Sequence, residues 1–297
     1  MKNLNPKLIY LILLSLVWGS SFILIKKSLL GLTAFQLGAL RTVFAGIVLL
    51  FFGFTKLKGL SRKHWTWIFV SSLVGSFFPA FLFAIAQTEI DSAVTSILNS
   101  LVPLNTVLLG ITFFKIGSSK RQILGVALGF IGCAILILKG AVINPNQNYL
   151  FAGFVIIATM MYATNANIIK RYLDDVKPLA IAAGHYAFIT IPAIIILIFT
   201  DFFKSETMAN PEFNWAVIYT LILAVFGTAM AKVFYNKLIQ ISNPVFASSV
   251  TYMMPVVALI WGLIDGENFT WLQGLGALII LSGVYLSNAS KNKKTEA

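Results

Sequence analysis

Trp18-Gly19-Ser20-Ser21-Phe22-Ile23-Leu24-Ile25-Lys26-Lys27 is the stretch from which the fold can be read, because the chain restates its pattern at Tyr162-Ala163-Thr164-Asn165 and Ile169-Lys170-Arg171. The offset is 144 residues, and at the same offset Arg41 falls on His185. Further along, Gly75-Ser76 falls on Gly227-Thr228, Pro103 on Pro255 and Gly110 on Gly262, now at an offset of 152. One longer loop around residues 200–213 accounts for the change. A chance likeness would not keep its order along the chain and a constant offset on either side of a single loop. The sequence therefore reads as two halves, 1–145 and 146–290, followed by a basic tail over 291–297.

Of the 297 residues, 58% are hydrophobic and only 11% charged, against roughly 25% charged in a soluble domain. An ordinary soluble fold is excluded. Apolar runs near the ~20 residues that a bilayer core requires recur near 8–25, 34–54, 65–87, 92–114, 121–138, 150–169, 178–199, 214–238, 244–264 and 271–288. Each half holds an odd number of runs, so the second enters the membrane from the opposite side. The expected fold is an all-α membrane protein of ten transmembrane helices, arranged as a 5+5 inverted-topology repeat. The first run is longer than a signal-peptide core and lacks a small-residue cleavage site, so it reads as a retained helix. With the N-terminus in the cytoplasm, 16 of the 22 basic residues lie in inside segments. The positive-inside rule then puts both termini in the cytoplasm of a multi-pass protein of the inner membrane. The net charge of +12 is spread over short loops facing anionic lipid, so nucleic acid is not an expected partner.

None of the ten acidic residues falls deep in a run, although a mid-membrane carboxylate is the usual ion relay. Cys133 is the single cysteine, which gives neither a disulfide framework nor a metal cluster. No P-loop, HExxH, GxSxG or dinucleotide fingerprint is present, so no cofactor and no enzyme activity are expected and ATP cannot drive the chain directly. Inverted halves permit alternating access, because exchanging their conformations opens one central site to opposite sides. A secondary transporter for a small molecule follows. A channel would need a continuous polar stripe, and a membrane enzyme or sensor would need paired mid-span acids or an attached domain.

Lys232 lies within the eighth run with no intramembrane acid to neutralise it, and is expected to reach an acidic group of a substrate. Trp18, Asn99, Tyr162, Asn165, Tyr235 and Tyr252 fall near the middle of repeat-related runs. Aromatic walls with a few hydrogen-bonding groups suit a small-molecule cavity, while the same polar side chains also hold membrane helices together. His185 is the near-neutral titrating group within a run, open either to substrate and a coupling proton or to a neutral bond with a neighbouring helix; solute exchange is the other driving scheme. Arg41, costing ~2.5–3.5 kcal/mol at a helix centre, is either a gating group or a snorkelling one. Pro79, Pro103, Pro192 and Pro255 each remove a helix hydrogen bond, and the mates Pro103 and Pro255 suggest a paired pivot. Trp65, Trp67, Trp215 and Trp271 read as interfacial anchors. The glycines from Gly125 to Gly132 and from Gly274 to Gly283 suit close packing between halves or between the protomers of a homodimer.

Taken with Leu40-Arg41, Pro103, Gly227-Thr228-Ala229, Ala247-Ser248, Gly262 and Gly266-Glu267, the segments Val17 to Phe22 and Tyr252 to Ala258 make the chain resemble the EamA-like branch of the drug/metabolite transporter superfamily over nearly its whole length. The resemblance implies the ten-helix fold, a cavity lined by the first four helices of each half, and export of amino-acid-like or other small polar or amphipathic metabolites. Export of drugs or lipophilic cations is the alternative within the same class. Arg41 occupies a usual family position. Two departures stand out: Lys115 sits where the second half has Glu267, and Lys232 sits where an apolar residue is expected.

Overall fold

The computed structural model describes residues 6–113, 120–143, 146–268 and 270–288; Lys2, Lys115 and the 291–297 tail fall outside them. Among the described residues there are helices and no strands. The long helical segments are, in chain order, α1 (Pro6–Ser28), α2 (Ala34–Leu57), α3 (Arg62–Ala86), α4 (Ser92–Thr112) and α5 (Lys120–Ile143), then α6 (Tyr149–Tyr172), α7 (Pro178–Phe199), α8 (Phe213–Ile241), α9 (Pro244–Ile264) and α10 (Trp271–Asn288). Eight of them are long and apolar enough to cross a bilayer, whereas α5 and α10 carry the shorter apolar stretches Ile123–Ile135 and Gly274–Gly283. The chain is a multi-pass membrane protein. Its large exposed side chains agree with a lipid-facing surface: Phe51, Phe199 and Ile264 are 80%, 82% and 72% exposed, a pattern that water would not tolerate over so wide a belt.

Hydropathy misplaces some ends because caps, not apolar residues, set them. α3 begins at Arg62 rather than near 65, since Ser61 accepts from the His64 N–H and His64 Nδ1 accepts from the Ser61 N–H, a reciprocal capping box. Thr33 and Gln36 do the same for α2. Of the expected anchors, Trp215 and Trp271 are exposed at helix starts, but Trp67 stacks flat on Tyr172 with centroids 3.7 Å apart and Trp65 meets Phe188 edge-on.

Four segments are irregular inside the bundle. α3 passes through a π-helical turn at Leu73–Phe77 and α8 through one at Leu223–Met230. α4 breaks at Ser100–Leu101, directly before Pro103 restarts it, and α9 passes through a 3₁₀ turn at Ser249–Tyr252, directly before Pro255. Gly75 and Gly227, mates in the repeat, both sit in the π-turns. Pro192 is carried inside α7 without such a break.

The glycine seams meet each other: α5 packs along α10 within the one chain. The approach is backbone on backbone. A Cβ on Gly283 would lie 2.5 Å from the Gly125 carbonyl oxygen and 2.7 Å from the Gly129 nitrogen, and one on Gly132 would lie 2.8 Å from the Ile280 nitrogen. No rotamer change relieves a clash with backbone. Gly283→Val is therefore expected to force the two helices apart and destabilise the protein by ~1–3 kcal/mol, read as a lower melting temperature in detergent.

Candidate functional site

A cavity of about 100 Å³ lies at the centre of the bundle, several times the ~10–15 Å³ that one water requires. α1 supplies Trp18, Ser21, Phe22 and Ile25, the i, i+3, i+4, i+7 face of a helix. α6 supplies Tyr162 and Asn165, at 144 residues from Trp18 and Ser21. From α3 come Gly75, Ser76, Ala80 and Phe83; from α8 come Gly227, Thr228, Lys232 and Tyr235, each 152 residues later. α4 contributes Asn99 and Val102, and α9 contributes Thr251 and Met254 at the same offset. Arg41 and Thr42 of α2, and Tyr186 of α7, complete it.

The irregular segments expose carbonyls, and side chains take them up. Pro79 has no N–H to give the Gly75 carbonyl four residues earlier; the Lys232 ammonium donates to that oxygen instead. Pro255 likewise leaves the Thr251 carbonyl, which accepts from Ser100 Oγ at 3.0 Å. In the α8 π-turn the Ala231 N–H bonds back to Phe226, and the Gly227 carbonyl accepts from the Trp18 indole N–H at 2.8 Å. Arg41 Nε donates to Thr228 Oγ1 at 2.7 Å. Asn165 Oδ1 accepts from Ser71 Oγ at 2.6 Å. Trp18 meets Tyr235 edge-on at 5.0 Å and Phe83 stacks on Tyr162 at 5.8 Å.

At the end of the bundle that carries Lys26, an ion-pair network ties α1, α4 and α9. α9 finishes in a Schellman turn: Gly266 adopts a left-handed φ of +83°, its N–H bonds to Leu263 and the Glu267 N–H reaches the Gly262 carbonyl at 2.8 Å. That turn aims Glu267 at the start of α4, where it accepts from Ser92 N–H (3.1 Å), Ser92 Oγ (2.6 Å) and Ala93 N–H (3.1 Å). A carboxylate suits the positive end of a helix. Lys26 bridges Glu267 at 2.9 Å and Asp265 at 2.8 Å, and Lys27 also pairs with Asp265. Partial burial pushes the Asp265 carboxyl up, but the hydrogen bonds and charges of Lys26 and Lys27 outweigh it and hold the pKa below the usual 3.8. Burial raises neighbouring Asp91, against a lowering bond from Gln147, with the Glu267 charge adding to the rise. At the other end Lys170, mate of Lys26, donates to the Gln240 carbonyl at 3.2 Å and to Asp174 at 3.0 Å.

Of the residues singled out in the sequence, Trp18, Asn99, Tyr162, Asn165, Lys232 and Tyr235 gather around the cavity together with Arg41. His185 and Tyr252 are not among its lining residues. His185 is fully buried in α7, one position from the lining Tyr186, and neither ring nitrogen has a protein partner. Pro103 and Pro255 stand beside the lining at the helix breaks. The sequence reading passed over Phe83 and Thr251, which the repeat offset applied to Tyr235 and Asn99 gives, and also Ser76, Tyr186 and Met254, whose mates Thr228, Thr42 and Val102 line the cavity but were not among the expected residues.

With this geometry established, the EamA-like transporter family matches the chain in two segments, residues 5–138 and 150–289. The chain belongs to that family and is a transmembrane transporter. It is 25% identical over 292 residues to the uncharacterized transporter YyaM of Bacillus subtilis strain 168, covering 96% of this chain and 93% of that one. It is 24% identical over 295 residues to the uncharacterized inner membrane transporter YedA of Escherichia coli K12 (98% and 93% covered). A "Probable amino-acid metabolite efflux pump" of Salmonella typhimurium LT2 is 22% identical over 283 residues (93% and 92%). A solved crystal structure matches with a TM-score of 0.64 over 95% of this chain and 96% of its own at 15% identity, a likeness of fold alone.

The network at Glu267 gives two expectations. Glu267→Ala should lower stability by ~1.5–3 kcal/mol, the range for hydrogen bonds to a charged group, seen as an earlier thermal melt. Because the folded Asp265 pKa is depressed, its contribution is complete above the unfolded carboxylate value and is lost as pH falls through the folded one. Asp265→Asn should therefore melt earlier than wild type at pH 7, with the gap closing below about pH 4.

Proposed function

We propose that the protein is a secondary transporter working by alternating access, with ten transmembrane helices in a 5+5 inverted repeat and the central cavity as its substrate site. The observation that carries this reading is the pairing of the cavity's walls: lining positions in α3 and α4 recur at one constant offset in α8 and α9, and both pairs of helices are irregular at the same places. Broken helices facing one another at mid-depth are how carriers build a site that each side can reach in turn. The halves then rock about the breaks beside Pro103 and Pro255. The Lys26–Asp265–Glu267 network closes the outer side, with both termini in the cytoplasm and the protein in the inner membrane.

The substrate is a small polar or amphipathic metabolite and the direction is export, supported by the aromatic walls and by the name of the Salmonella relative. Exchange, or the solute's own gradient, drives the cycle. The described acids stay at helix ends and loops, and fully buried His185 is outside the cavity lining.

Proteoliposomes preloaded with a metabolite mixture and assayed for counterflow test the reading. Trp18→Ala and Tyr235→Ala should each slow exchange at least about tenfold, the loss that ~1.4 kcal/mol of binding implies, while Trp271→Ala, exposed at a helix start, should leave it unchanged. Equal exchange in all three variants contradicts the placement of the site.

A further inference from the structure

The cavity holds two cations and no described acid. Arg41 and Lys232 both line it, while none of the described Asp or Glu residues does. Arg41 Nε donates to the Thr228 hydroxyl and the Lys232 ammonium to the Gly75 carbonyl, both neutral oxygens. Neither bond cancels a charge, and charge held away from water is costly until a counter-charge arrives. Beside them Asn99, 3% exposed, keeps its Oδ1 without a partner, and its amide reaches only the Met254 sulfur at 3.9 Å. The wall also carries the aromatic side chains Trp18, Phe22, Phe83, Tyr162, Tyr186 and Tyr235 among smaller polar and aliphatic ones.

The charge is also one-sided with respect to the repeat. The mate of Arg41 is His185 and the mate of Lys232 is Ala80, so each cation is present in one half only. An asymmetric pair fixes how a bound solute is oriented.

We propose that the solute is a small organic anion, with its acidic head, a carboxylate or a phosphate ester, between Arg41 and Lys232 and an apolar or aromatic body against the Trp18 and Tyr235 side. The assignment rests on the transporter reading above and narrows it. A lipophilic cation would meet two like charges. The ammonium of an amino acid would find no carboxylate to pair with.

The test uses the full chain in detergent micelles, with thermal shift and titration calorimetry, against phenylacetate, phenyl phosphate, phenylacetamide, phenethylamine and phenylalanine. At least one of the two acids is expected to raise the melting temperature and to bind about ten- to a hundredfold more tightly than the amide, the worth of charge-assisted hydrogen bonds. Which acid binds better decides between carboxylate and phosphate heads. Lys232→Gln and Arg41→Gln should each bring the acid down to the amide's affinity. Lys232→Arg, which keeps the charge, should retain the preference and guards against misfolding as the cause of a loss. Equal binding of acid, amide and amine overturns the proposal, as does unchanged acid binding by the glutamine variants or no stabilisation by either acid. Counterflow of the acid in proteoliposomes separates the two readings. Binding without exchange contradicts the transporter reading and leaves the anion site standing. Exchange of neutral solutes without preference for the acid contradicts the anion site alone.

Discussion

A backbone carbonyl without its helical partner cannot be left bare in a membrane interior, where no bulk water compensates for it. Much of the central architecture follows from that constraint. Pro79, Pro255 and the π-turn of α8 free the carbonyls of Gly75, Thr251 and Gly227, and each is taken by a side chain from the opposite half: Lys232, Ser100 and Trp18. The same bonds that stabilise the irregular helices thus stitch the halves together around the cavity. They are few, and in the proposed alternating-access cycle they would be exchanged for bonds to a solute or to water as the halves shift.

The ends of the bundle solve a different problem. Around Lys26, charges are gathered where helix termini need them: Glu267 caps α4, and the Schellman turn through Gly266 puts it there. At the opposite end Lys170 holds a carbonyl and a nearby aspartate instead. The halves resemble one another in the walls of the cavity more than in the contacts at the ends of the bundle.

The sequence makes the helical, membrane-spanning character plain, since composition and the length of the apolar runs decide it. The repeat offsets also locate most of the lining, because Trp18 and Tyr162, or Gly75 and Gly227, must occupy equivalent places if the halves fold alike. What was not legible were partners. A proline announces that the carbonyl four residues back is free, but not which side chain will find it, so Lys232 reads as an unpaired cation although it is bonded to Gly75. His185 shows the limit of reasoning by mates: Arg41 lines the cavity, yet its mate is turned into packing and Tyr186, one residue on, faces the site. Helix starts such as Arg62 depend on caps that a hydropathy window does not see.

The central claim is that the two halves move against each other around a fixed site, and pulsed electron paramagnetic resonance measures that directly. Spin labels at exposed Leu30 and Ile264 report one end of the bundle, and labels at exposed Lys58 and Lys237 report the other. In nanodiscs, as a transported solute is added, the account predicts that distances at the two ends redistribute in opposite senses, one opening as the other closes. Distributions that stay fixed, or that widen together at both ends, would contradict it.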